Sequence, residues 1–118
     1  FAWPAVTAAY TEGEEWLAQC LAYIQGNIDY VADYVETHIP KIKVMRPQAS
    51  YLVWLDCREL GLSHEDLNAF FVDKAGLALN DGEMFGKEGA GFMRMNVGCP
   101  RITLEKALQQ LKAAYDTL

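Results

Sequence analysis

Apolar residues recur three or four apart through Leu17, Leu21, Ile24, Ile28, Val31 and Val35, the spacing of one helical face. The pattern predicts a long helix from about Glu14 to Thr37, with Trp16, Tyr23, Tyr30 and Tyr34 widening its stripe. Thr11-Glu12-Gly13-Glu14 fits a capping box at its start, in which the Thr hydroxyl accepts an early N–H and Glu14 reaches back. A helix of about 24 residues runs roughly 36 Å. That exceeds what a 118-residue domain needs, so part of it is expected to pack on something beyond this chain. Residues 1–10 are small and apolar, like the end of a longer segment, and the chain opens on Phe1 and not Met, in keeping with an excised piece.

Pro40 ends the helix, because its ring cannot continue the hydrogen-bond ladder. Lys41 to Met45 then predicts a short strand. Tyr51-Leu52-Val53-Trp54-Leu55-Asp56 predicts the clearest one, rich in β-branched and aromatic residues. It is apolar at both parities, so both of its faces are expected to be covered. Ser63-His64-Glu65-Asp66 is an S-x-x-D cap for a helix that carries Leu67, Phe70, Phe71 and Val72 until Gly76 stops it. Leu77–Leu79 predicts a short strand, Phe92–Val97 another, and Thr103 is the expected cap of a last helix with Leu104, Ala107, Leu108, Leu111 and Tyr115 at helical spacing. This order of elements predicts one α+β domain over residues 1–118, a small, mostly antiparallel sheet with helices packed on it.

Composition supports an ordered domain: hydrophobic residues are 52% of the chain, enough to bury roughly two-thirds of the unfolded surface. The net charge is −6 and no stretch gathers Lys and Arg, so neither a nucleic acid nor an anionic membrane is an expected partner. Cys20, Cys57 and Cys99 form no C-x-x-C pair and have no His at zinc spacing. No metal site is therefore expected, and reduced thiols point to the cytoplasm. No run of 18 apolar residues and no signal sequence is present.

The strand Phe92–Val97 carries the candidate chemistry. Alternation puts Phe92, Arg94 and Asn96 on one face and Met93, Met95 and Val97 on the other. A guanidinium in mid-strand needs an acceptor. One solution is an internal ion pair, with Asp56 or Asp81. The other is a pre-placed fork for a small ligand's carboxylate, which Arg suits through planar bidentate donors and a permanent charge. The Gly-rich stretch 80–91 lacks phosphate-loop spacing and precedes a strand. It either lines a site beside Arg94 or is a long hairpin connection. His38 and His64 are expected at the surface or in capping roles, and no Ser or Cys has a nucleophile elbow around it.

These segments resemble a known family. Ala49 to Asp56 looks like the first core strand of the small domain in class I/II aminotransferases of fold type I, which depend on pyridoxal 5′-phosphate (PLP). Leu77-Ala78-Leu79-Asn80-Asp81-Gly82 with Phe85-Gly86, then Gly91 through Arg101, looks like the cystathionine beta-lyase branch of MalY/PatB type, which cleaves carbon–sulfur bonds in cysteine-derived amino acids. The resemblance implies a C-terminal small domain with a long interdomain helix, residues 1–25 packing on a large PLP-binding domain, and a homodimeric parent. It implies that Arg94 grips the substrate's α-carboxylate and that Asn80, Asp81 and Gly82 approach the substrate. It implies that the PLP lysine, the pyridine-facing Asp and the phosphate cup lie in the large domain, so this chain holds no cofactor, is inactive alone and is expected to self-associate. Two other readings stay open: the domain of an amino-acid aminotransferase, and a standalone carboxylate-binding module.

Overall fold

A computed structural model describes residues 1–118. Helix α1 spans Ala2–Glu12, and α2 spans Glu14–His38. Residues 1–12 are thus helical, and the expected capping box does not form. Thr11 lies inside α1, with its hydroxyl donating to the Thr7 carbonyl at 2.9 Å, the back-bond a helical Thr makes when no N–H is free to cap. The break between the helices falls at Gly13, where a Cβ would sit 2.4 Å from the Ala9 carbonyl oxygen. At the other end, α2 stops at His38 because Pro40 drives its predecessor Ile39 out of helical space, to φ −137° and ψ 58°.

Four strands follow: β1 (Lys43–Met45), β2 (Leu52–Asp56), β3 (Asn80–Asp81) and β4 (Phe92–Asn96). They form one antiparallel sheet in the order β1-β2-β4-β3. Helix α3 (His64–Ala69) lies between β2 and β3, and α4 (Arg101–Tyr115) closes the chain. Ser63 caps α3 as expected, accepting from the Asp66 N–H at 3.1 Å. The helix then widens into a π turn over Phe70–Lys74.

Two expected features are absent. Leu77–Leu79 is not a strand. Gly76 turns the chain at φ 65° and the Leu79 N–H bonds back to the Leu77 carbonyl, which withdraws the amide a ladder needs. Thr103 is not a cap either, since α4 already begins at Arg101. The Arg101 N–H is met instead by the Tyr23 hydroxyl of α2 at 2.7 Å, a tertiary cap that local sequence does not encode.

The core lies on one face of the sheet. Val53 and Leu55 of β2 and Met93 and Met95 of β4 pack with Val31 and Val35 of α2, Leu67 and Phe71 of the α3 region, and Leu104, Leu108 and Leu111 of α4. Each such side chain contributes about 1.5–3 kcal/mol through burial. The opposite face corrects the expectation of full cover: Leu52, Trp54 and Asp56 are half-buried, and this is the face that carries Arg94. No residue of α1 is buried, and burial along α2 begins only at Asn27. Trp3, Tyr10, Trp16, Leu17 and Leu21 stand exposed. No helix is long and apolar enough to cross a membrane.

Candidate functional site

Arg94 occupies the middle of β4, flanked by Trp54 of β2 and Asn80 of β3 in register. Because side chains alternate across the sheet, the buried Met93 and Met95 fix Arg94 on the open face. One Nη donates to the Asn80 amide oxygen at 3.2 Å. The guanidinium lies over the Phe85 ring, 4.3 Å from its centroid, an attraction of a cation to the ring's electron-rich face. Trp54 in turn meets Phe85 edge-on at 5.4 Å.

Neither ion-pair partner suggested by the sequence reaches Arg94. Asp56 is taken by Arg58, whose Nε and Nη2 donate to its two oxygens at 2.9 and 2.7 Å. Those bonds hold the Asp56 carboxyl below its ordinary range against the opposing effect of burial. Asp81 faces the other way. Desolvation works to raise its pKa, but His64 at 2.8 Å, Asn68 at 2.9 Å and the Glu83 N–H at 2.8 Å outweigh that and hold it low. No carboxylate forms a salt bridge with Arg94. Its Nε is hidden from water and has no hydrogen-bond partner, a state that costs about 1–3 kcal/mol. A cation so placed, with Nη donors left over after one amide contact, can take an anion of fork geometry.

The remaining candidates separate. Asn80 touches Arg94 and belongs to the site. Asp81 is a loop clasp on the helix-covered side of the sheet. Gly82 is buried where a Cβ would stand 2.1 Å from the Gly89 carbonyl oxygen and 2.6 Å from that of Phe92, so its lack of a side chain allows this close packing. Ser50, beside the start of β2, has φ 73°, a left-handed conformation uncommon outside glycine. His38 is exposed, with its ring 4.6 Å from that of Tyr34. His64 departs from the surface expectation, being 20% exposed and hydrogen-bonded through both ring nitrogens.

Sequence reasoning missed two residues, Asn27 and Phe85. Asn27 is fully buried, and its amide donates to the Val97 and Cys99 carbonyls at 2.8 and 2.9 Å and accepts from Arg101 Nε at 2.8 Å. The available signal was a lone amide inside the apolar stripe of α2. Phe85 was visible only as one aromatic in a Gly-rich stretch.

None of the chain's six lysines is buried. Lys41, Lys43, Lys74, Lys87 and Lys106 are solvent-exposed, and Lys112 is paired with Asp116 one helical turn away.

No family model matches the chain. Individual relatives do. It is 41% identical over 97% of its length to cystathionine beta-lyase PatB of Bacillus subtilis, and 38% identical over 88% to protein MalY of Escherichia coli. Among solved structures, cystalysin from Treponema denticola, which contains pyridoxal 5′-phosphate, superposes with a TM-score of 0.88 at 32% identity over 92% of the chain. The chain spans 30%, 27% and 28% of these proteins respectively. In sequence and fold, the chain matches a domain-length part of proteins such as cystathionine beta-lyase PatB and protein MalY.

Proposed function

We propose that this chain is the substrate-carboxylate-binding small domain of a PLP-dependent carbon–sulfur lyase acting on sulfur-containing amino acids. The observation that carries the proposal is the state of Arg94: a cation on an open face, met by one amide and one ring, with no carboxylate of its own. The group it awaits is the α-carboxylate of the amino acid. Holding that carboxylate orients the breaking bonds over a cofactor bound elsewhere, which is positioning and not proton transfer. PLP supplies the electron sink when bound, and the lysine that carries it belongs to the larger remainder of the protein.

Residues 1–25, with Trp3, Tyr10, Trp16 and Leu17 exposed, pack on that remainder, and the parent is a homodimer. The three unpaired cysteines support a cytoplasmic, reducing location. Alone, the chain is inactive and self-associates through its uncovered apolar helices; a monomer in sedimentation at high concentration would refute the latter.

The decisive test is Arg94→Ala in the full-length protein. The expected result is a fall of about a hundredfold in kcat/KM for cystathionine, from the loss of charge-assisted bonds, with PLP absorption retained. Unchanged kinetics would sink the proposal. Pyruvate release from cystathionine distinguishes the lyase from an aminotransferase.

A further inference from the structure

The segment from Asp81 to Gly91 holds four glycines, at 82, 86, 89 and 91, and glycine backbone is entropically costly to fix. Burial does not fix its tip: Met84 is 70% exposed and Phe85 51%. Yet Phe85 is the ring beneath Arg94, and Asn80, next to Asp81, is its amide partner. Something must hold this segment in place.

His64, at the start of α3, spans its two ends. The imidazole Nε2–H donates to Asp81 Oδ1 at 2.8 Å, and Nδ1 accepts from the Gly91 N–H at 3.5 Å. This pairing has Nε2 as the donor and Nδ1 as the acceptor. Asn68, one turn along α3, donates to the second Asp81 oxygen at 2.9 Å. Asp81 also accepts the Glu83 N–H, which starts the turn leading to Phe85.

We infer that His64 is a positioning residue for Arg94: by closing the 81–91 segment at both ends, it sets the Asn80 amide and the Phe85 ring against the guanidinium. The inference rests on the reading of Arg94 as the carboxylate holder. His64 touches no substrate and acts from the helix-covered side of the sheet, through Asp81.

The test follows the Arg94 Nε–H by nitrogen-15 NMR in the protein, with propionate as the carboxylate probe. Because this Nε is shielded from water, its hydrogen exchanges slowly in the native chain. His64→Leu removes both bonds and is expected to speed that exchange about tenfold, the scale of a lost hydrogen-bond contact, while the β2 and β4 amides keep their protection. His64→Gln retains reach to Asp81 and His64→Asn retains an acceptor for Gly91, so both are expected to restore part of the protection. Unchanged exchange in His64→Leu overturns the inference. If that variant does not fold, Asp81→Asn carries the same expectation and the same refutation. Propionate is expected to shift the Arg94 signal in the native chain and to bind about tenfold more weakly to His64→Leu. Equal binding to both overturns the role of His64. No shift in the native chain overturns the carboxylate reading of Arg94 instead, leaving His64 to be judged by exchange alone.

Discussion

Arg94 rests on Phe85, its guanidinium carbon 4.3 Å from the ring centroid, although one residue lies in the inner strand β4 and the other in the turn after the edge strand β3. The contact orients a charge that no acid neutralises. Phe85→Leu keeps an apolar side chain and removes the π face. A partly exposed cation–π contact is worth about 0.5–1 kcal/mol, so the expected result is a rise of roughly two- to fivefold in KM of the full-length enzyme with kcat nearly unchanged. Steady-state kinetics check this, and a change in kcat alone would contradict it.

Asn27→Leu is expected to be far more damaging to stability. It leaves the Val97 and Cys99 carbonyls and the Arg101 Nε without their partner. Orphaned buried polar groups cost about 1–3 kcal/mol each, so a loss of about 3 kcal/mol is expected. The urea midpoint should fall with little change in slope.

Cys57 should resist thiol reagents in the folded chain. Burial, with the Asp56 charge nearby, pushes its thiol up to about 12, and the thiolate is the reacting form. Titration with an aromatic disulfide at pH 8 is expected to count at most Cys20 and Cys99 in the native chain, and all three thiols in denaturant.

The Asp56–Arg58 pair sets an acid-side dependence of stability. The Asp56 carboxyl is held low by its bonds to Arg58, so the folded pKa lies below the unfolded value near 3.8. The stabilisation is therefore present above that value and lost as the pH falls through the folded one. Arg58→Gln is expected to flatten the fall in stability below pH 4 while lowering stability at neutral pH; equal acid profiles for the two chains would contradict this.

Legibility in the sequence followed the range of each interaction. The long helix, the strand at Leu52–Asp56, the Ser63 cap and the face bearing Arg94 all rest on periodicity or neighbouring residues, and these were readable. The α4 start was misread because its first N–H is met by Tyr23, 78 positions earlier. Capping at Thr11 was misread because α1 runs through it to Gly13. The sequence left two partners open for Arg94, and the choice depended on which acids were already engaged: Arg58 holds Asp56 from two residues away, and His64 holds Asp81 from across the fold. Neither occupation has a sequence signature.

One consequence of the Asn27 amide concerns length and not chemistry. Its two donated bonds reach Val97 and Cys99, while Arg101, which it accepts from, begins α4. A single side chain thus measures the connection from β4 to α4 at three points. An inserted or deleted residue between Val97 and Arg101 would pull at least one of those points out of reach, whatever its identity. This short connection is therefore gauged to a fixed number of residues, and tolerance to insertion in this chain should be sought on the exposed turn at Gly61, where an added Cβ would meet nothing within 4 Å.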